Sequence, residues 1–250
     1  MRAIIIGAGR GRRLMPTTED SPKCFAEVGG RRILDWTLET FARTGITDVH
    51  FVGGYQIDKV QRDYPHFIFH HNADWERNNI LASLFCAESA MDQPFVCCYS
   101  DILFTAETLA ALLSSRADIA LMVDTHWRRR YALRSRHPTD DAEKVLVQNG
   151  RVTRVHRDIP EGEAHGEYTG VARFSVRGAE ELRRSYHDRR ARFAGRPFRE
   201  AGLFEKAYLI QLFQEMVEAG VHIAHVDVPG GYMEVDTQED FELAQRFWRG

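Results

Sequence analysis

Thiol pairs, charge excess and long apolar runs are all missing from this chain, and each absence narrows what it does. The four cysteines are Cys24, Cys86, Cys97 and Cys98. None forms a CxxC pair, so zinc is not expected, and free thiols fit a reducing cytoplasm. Lys and Arg total 33 against 36 acidic residues, a net charge of −3. No global field therefore favours nucleic acid or an anionic membrane, and affinity for phosphate must come from local clusters. No apolar run approaches the ~20 residues that span a bilayer. The short N-terminal run has no cleavage pattern of a signal peptide. Repeats, low-complexity tracts and linkers are also missing. The expectation is one domain over residues 1–250 with a β-rich, substrate-facing insertion over 125–175.

What is present begins at the N-terminus. Ala3 to Ile6 is a β-branched apolar run that reads as a buried strand. It stops at Gly7-Ala8-Gly9-Arg10-Gly11, where glycines let bare backbone approach a ligand. Arg10, Arg12 and Arg13 follow, then Lys23 behind Pro22. Backbone N–H groups beside clustered guanidiniums suit phosphate. No Gly-Lys-Ser/Thr closes the loop, so it is not a P-loop. Arg12 stands where a dinucleotide fingerprint needs its third glycine, and the second strand ends in Gly53-Gly54-Tyr55-Gln56 with no acid for a ribose.

Strands and helices then alternate. Strands are expected at Val49 to Val52, Phe67 to Phe69, Phe95 to Tyr99 and Ile119 to Val123. Helices are expected at Ile33 to Thr44, Ile80 to about Met91 and Ala106 to Ser114. Such alternation implies right-handed βαβ units and a doubly wound, mostly parallel sheet, with ligands beyond the carboxyl ends of the strands. Adjacent Cys97 and Cys98 should face opposite sides of that sheet. After Asp124 the pattern changes. Asn149-Gly150 between two alternating segments signals a hairpin with a type I′ turn. Glu167 to Phe174 reads as a strand, Arg177 to Arg192 and Phe204 to Ala219 as helices, and Ile223 to Val228 as a strand. Thr237 with Asp240 resembles a capping box before the last helix. Trp127-Arg128-Arg129-Arg130 reads as solvated surface, and the His70-His71 pair as structural.

Asp101 and Asp236 are acids among apolar neighbours. Such acids must be paired, metal-bound or at an edge. Each could simply cap a helix. As a pair beside a phosphate loop they would suit Mg²⁺, which takes one or two carboxylates plus substrate phosphates. An Asp-x-Asp pair, usual in glycosyltransferases that use nucleotide sugars, is not present at Tyr99-Ser100-Asp101.

Gly7-Ala8-Gly9-Arg10-Gly11-Arg12-Arg13-Leu14, Pro16 and Pro22-Lys23 together resemble the N-terminal signature of nucleotidyltransferases that activate sugar phosphates and phosphocholine. Asn79-Ile80-Leu81-Ala82-Ser83-Leu84, Tyr99-Ser100-Asp101-Ile102, Glu167-Tyr168-Thr169-Gly170 and Glu234-Val235-Asp236-Thr237 continue the likeness in order. The phosphocholine cytidylyltransferase-like branch is the most similar. It includes enzymes that act on phosphonates and on phosphoglutamine in surface polysaccharide biosynthesis. The chain departs from the signature where Ile6-Gly7-Ala8-Gly9 replaces a frequent Leu-Ala-Ala-Gly, and where Ser100 replaces a frequent Gly or Ala.

The resemblance implies a Rossmann-like nucleotidyltransferase fold and a role for each motif. Arg13 and Lys23 become the catalytic cations, and Asp101 and Asp236 the Mg²⁺ ligands. Ala8, Gly9, Arg10 and Gly11, with Gly53, Asn79, Ser83 and Ser100, would hold the nucleotide. Lys144, Glu167, Tyr168 and Tyr232, with Trp75 and Trp127, would face the acceptor. The reaction implied is transfer of CMP from CTP to a small phosphorylated or phosphonylated acceptor, with release of pyrophosphate. A sugar-1-phosphate nucleotidyltransferase using UTP, GTP or dTTP is the alternative within that chemistry, and a non-catalytic nucleotide sensor the alternative outside it. No nucleic acid or membrane partner is expected, and a homodimer is left open.

Overall fold

The structure is a computed structural model describing residues 1–136 and 138–249. In chain order it runs β1 (Arg2–Gly7), β2 (Glu27–Val28), β3 (Arg31–Arg32), α1 (Ile33–Arg43), β4 (Asp48–Gly53), α2 (Ile57–Asp63), β5 (Ile68–His71), α3 (Ile80–Phe85), β6 (Phe95–Tyr99), β7 (Ile102–Phe104) and α4 (Ala106–Ser114). It continues with β8 (Ile119–Asp124), α5 (Trp127–Tyr131), β9 (Lys144–Gln148), β10 (Arg151–His156), β11 (Gly166–Phe174), α6 (Val176–Phe193), α7 (Leu209–Glu218), β12 (Ala224–Val228), β13 (Tyr232–Glu234) and α8 (Gln238–Phe247).

Four parallel pairings build the two parallel parts of the central sheet. β1 lies between β4 and β6, β5 flanks β4, and β12 flanks β8. β11 is antiparallel to both β6 and β8 and joins the two parallel halves. Its reversed direction brings its N-terminal half, Gly166 to Thr169, to the end where β1, β6 and β8 finish. The β9–β10 hairpin extends beside that half, through pairing of Gly166 with Val145 and Glu167 with Lys144. So within 125–175 the strand carrying Glu167 belongs to the middle of the main sheet, and the hairpin is the part added beside it.

Period-two alternation divides the core between the two faces. Ile4, Ile6 and Cys97 pack with Leu81 and Leu84 of α3, Leu182 of α6 and Phe213 of α7. Ala3, Ile5 and Cys98 pack with Leu34 and Phe41 of α1 and Leu109 of α4. The neighbouring cysteines thus face opposite layers, as the strand reading requires, and the sheet is covered on both sides. A smaller cluster joins Leu14, Ile33, Leu103, Val235 and Ala244, which fixes α8 behind the N-terminal loop. Among the described residues no helix is long and apolar enough to cross a membrane.

Local chemistry explains several boundaries. Asn149 and Gly150 take φ of 52° and 72°, the left-handed pair that a type I′ turn needs. The Thr237–Asp240 capping box forms as expected. The helix expected to run to Met91 stops at Phe85 and continues as a 3₁₀ turn at Glu88–Ala90. The helix expected from Phe204 is a 3₁₀ turn at Phe204–Lys206 followed by α7. Ala207 is extended there, and the carbonyls of Glu205 and Ala207 accept from Asn79 and Leu81 at the start of α3. Tertiary pairing overrides the helical pattern.

Candidate active site

A cleft of about 280 Å³ opens where β1 and β6 end and β11 begins. That is the small-molecule end of ligand-site size. At Gly7 the chain leaves β1 and passes through Ala8, Gly9 and Gly11, all of which line the cleft. Gly11 has φ 67°, and a Cβ there would lie 3.0 Å from Lys23 Cγ and Cδ. Glycine therefore serves twice at this position: it allows the left-handed turn and it leaves room for the lysine stem.

Lys23 follows the extended Pro22 and opens a 3₁₀ turn whose Phe25 N–H donates to the Pro22 carbonyl. Its Nζ lies 2.6 Å from Asp101 Oδ2 and 2.5 Å from Asp236 Oδ1. The two acids are 135 positions apart in sequence. Antiparallel pairing of β7 with β13 brings them together, since Asp101 directly precedes β7 and Asp236 follows β13 by one residue. The Val235 N–H, donating to the Asp101 carbonyl at 2.9 Å, continues that ribbon. Arg13 contacts Asp236 and reaches Asp141 Oδ2 at 2.8 Å. Burial pulls the Lys23 ammonium down, but the charges of Asp101 and Asp236 outweigh it and hold the lysine above its ordinary pKa.

The opposite wall is α3. Asn79 caps it, with its Oδ1 accepting from the Ile80 N–H at 2.8 Å. Asn72 donates to Ser83 Oγ at 2.9 Å and exchanges hydrogen bonds with Asn78. Asn78, Asn79, Ser83 and Trp75 line the cleft, as does Ser100 after β6. Two expected nucleotide contacts stand elsewhere. Gly53 does not line the cleft; it packs against Ile57, and its carbonyl accepts from Asn72. Arg10 is also not part of the lining, and its guanidinium lies 5.3 Å from the Tyr55 ring.

At the far end, β11 presents Glu167, Tyr168, Thr169 and Gly170 to the cleft. Gly170 has φ 82° and meets the Tyr99 ring so closely that a Cβ would fall 2.5 Å from it. The expectation of solvated surface at Trp127-Arg128-Arg129-Arg130 holds for the exposed Arg128 and Arg129 and fails for the other two. Trp127 is buried with Tyr131 and Ala142, and α5 turns Arg130 inward onto Glu167 and Asp124. Tyr131 adds an O–H donation to Glu167 at 2.8 Å. A buried acid this close to the sheet needs such partners, and the arginine and tyrosine supply them. Trp127 therefore packs behind the site and is not in its lining. Lys144 is likewise displaced from its expected role: it is buried, its ammonium donates to the Arg157 carbonyl, and it does not face the cleft. Tyr168 and Tyr232 do face it.

Sequence reasoning missed Glu143, Arg157, Asp141, Tyr208 and Glu234, which all line the cleft. Tyr99 O–H donates to Glu143 at 3.2 Å, and Arg157 reaches the same carboxylate at 3.4 Å and Asp141 at 2.8 Å. The Arg157 guanidinium also lies 4.3 Å from the Tyr208 ring. Burial pushes the Glu143 carboxyl up to about 7, against the pull of Arg157. Only Glu234 carried a usable signal, its place two residues before Asp236 on the same strand face. Among the described residues no histidine lines the cleft. The arrangement offers cations, backbone N–H groups and paired carboxylates, which suits charge stabilisation at phosphorus better than histidine acid–base work.

A family model described as the MobA-like NTP transferase domain matches residues 3–201. The CTP:phosphoglutamine cytidylyltransferase of Campylobacter jejuni is 28% identical over 97% of this chain and 98% of its own length. The 2-aminoethylphosphonate cytidylyltransferase of Lancefieldella rimae is 25% identical over 74% and 72%. Among solved structures, the inositol-1-phosphate CTP transferase of T. maritima aligns with a TM-score of 0.74 at 23% identity, covering 100% of this chain and 96% of that one. The CTP:phosphocholine cytidylyltransferase of Streptococcus pneumoniae aligns at 0.71 and 18%, covering 99% of each. These structures share the mostly parallel sheet with flanking helices. With four-fifths of its length matched by the model, the chain belongs to the family of MobA-like NTP transferase domains.

Proposed function

We propose that the protein transfers CMP from CTP to a small phosphorylated or phosphonylated acceptor and releases pyrophosphate. The observation that carries this reading is the Lys23–Asp101–Asp236 cluster at the mouth of the β1 loop. The nearly full-length similarity to a phosphoglutamine cytidylyltransferase supports cytidine and a small acceptor. The acceptor oxygen is largely ionised at pH 7, because the second phosphate pKa is ~6. It attacks the α-phosphorus, one P–O bond forms as the bond to the pyrophosphate oxygen breaks, and no general base is required. Positioning and charge stabilisation then carry the rate. The β1 loop holds the triphosphate through backbone N–H groups, Lys23 offsets charge on the α-phosphate, and Arg13 holds the departing pyrophosphate.

Asp101 and Asp236 fit a hard divalent ion such as Mg²⁺, since both are carboxylates and their oxygens converge on one cationic centre, Lys23 Nζ. When bound, that ion supplies charge neutralisation for the phosphates. At the acceptor end, Glu143, Glu167 and the tyrosines suit an amine, and Arg157 suits an anionic group. A pyrophosphate-release screen of the four NTPs against phosphoglutamine, 2-aminoethylphosphonate, phosphocholine, inositol 1-phosphate and glucose 1-phosphate tests the reading. CTP with one of the first four should be fastest. Preference for UTP or dTTP with glucose 1-phosphate would replace it with the sugar-nucleotide reading, and no release with any pair would refute transfer altogether.

A further inference from the structure

Away from the cleft, the edge of the sheet holds a group of donors that the transfer reaction does not use. His225 and Asp227 lie two apart on β12, so they project from one face of that strand. His165 immediately precedes β11, and β8 runs between β11 and β12. His165 Nε2 is 2.9 Å from both carboxylate oxygens of Asp227, and His225 Nδ1 is 2.7 Å from Asp227 Oδ1. The imidazole rings are perpendicular in contact, with centroids 5.0 Å apart. One donor atom from each residue falls within 4.8 Å of the others. Among the described residues, these two imidazoles are the ion-pair partners of Asp227.

We propose that His165, His225 and Asp227 form a zinc-class site, binding a divalent transition ion through two imidazole nitrogens and one carboxylate oxygen, with solvent in the fourth position. Two nitrogens and an oxygen suit Zn²⁺, whose bonds of about 2.0–2.2 Å put tetrahedral donors about 3.3 Å apart. The observed carboxylate–imidazole distances of 2.9 and 2.7 Å need to open by about 0.4 to 0.6 Å to reach that spacing. Mg²⁺ prefers all-oxygen octahedra, so this site and the aspartate pair select different ions. Cysteine spacing gives no hint of it, because it uses no thiolate. The ion ties the outermost strand β12 to the lead-in of β11 across β8. That lead-in is two residues from Glu167 at the acceptor end of the cleft, so the ion holds the sheet edge beneath the acceptor.

The test uses the untagged full chain after chelator treatment. Zn²⁺ is titrated calorimetrically, and Co²⁺ is followed by its visible absorption. One ion per chain should bind, intense tetrahedral Co²⁺ bands should appear, and the melting temperature should rise with zinc. His165→Ala and Asp227→Asn, both at exposed positions, should each weaken zinc at least tenfold, whereas Asp101→Asn should leave its affinity within twofold. The proposal is overturned if zinc fails to bind, if both edge variants bind it as the native chain does, or if Asp101→Asn abolishes binding. The transfer reaction is measured separately with Mg²⁺, so its failure and failure of the zinc site are distinguishable.

Discussion

Replacing Lys23 by methionine isolates the centre of the proposed chemistry. The side chains of Lys23, Asp101 and Asp236 are 9%, 22% and 10% exposed, so solvent screens their attraction only weakly. Methionine keeps the stem that Gly11 accommodates but removes the ammonium between the two carboxylates, of which Asp236 keeps its contact with Arg13. Removing one partner of a buried ion pair costs about 3–5 kcal/mol. The sign with pH follows from the charges. The native lysine, held above its ordinary pKa, contributes fully below 10.5, so the native stability is not lost at pH 8 through this group. In the variant, like charges raise the pKa of one carboxyl, which takes up a proton as pH falls. The deficit should therefore be larger at pH 8 than at pH 5. Urea unfolding at both pH values measures it. The rate of pyrophosphate release from folded variant should fall about 10²–10³-fold, the usual cost of removing one preorganised charge from a phosphoryl or oxyanion centre. A pH-independent deficit together with a rate within threefold of native would refute both the ion-pair argument and the role of Lys23.

Glu143→Gln should remove a pH dependence of folding. The native carboxyl titrates at about 7 against an ordinary 4.5, so the folded state binds more protons across that window and loses stability as pH rises through it. Relative to native, the variant should gain on the order of 3 kcal/mol between pH 4.5 and 7.5; parallel melting curves across that range would contradict the burial argument. Arg130→Met leaves Glu167 and Asp124 buried without their guanidinium. It should cost about 3–5 kcal/mol, and Glu167→Gln in the same chain should recover part of that loss in urea melts. A single-variant loss under 1 kcal/mol would show that Tyr131 and backbone N–H groups already satisfy both acids.

The glycine-loop end of the cleft was legible because its signals are local. A β-branched run, a glycine turn and a following Pro-Lys each state their conformation within a few residues, and β1, the loop and Lys23 stand where that pattern places them. Cys97 and Cys98 facing opposite layers follow from strand periodicity alone. The pairing of Asp101 with Asp236 was inferred from their matching apolar surroundings, but the device that joins them, the β7–β13 ribbon, is three residues per strand and too short to announce itself.

At the β11 end Glu167, Tyr168 and Tyr232 line the cleft, whereas Trp127, Arg130 and Lys144 were misread, for a different reason. Charged residues in a polar stretch default to solvent, because a lone buried charge is too costly. That default fails when the countercharges come from distant sequence. The Arg130 side chain is largely buried because Glu167 lies opposite it on a strand, 37 positions later, and Asp124 supplies a second carboxylate at the end of β8. Neither acid predicts the arginine, since their proximity depends on β11 entering the sheet antiparallel between β6 and β8. The same reversal carries Tyr168 and Glu167 to the carboxyl ends of the parallel strands, and it places Glu143 and Arg157 beside them through the β9–β10 hairpin. An antiparallel strand within a parallel sheet is therefore what makes this end of the cleft: it brings acidic and aromatic side chains from one stretch of chain against the glycine-loop end of another. A sequence pattern that names strands without their direction places the glycine loop and the β11 motif but not the buried partners, such as Arg130, Glu143 and Arg157, that distant strands bring to them.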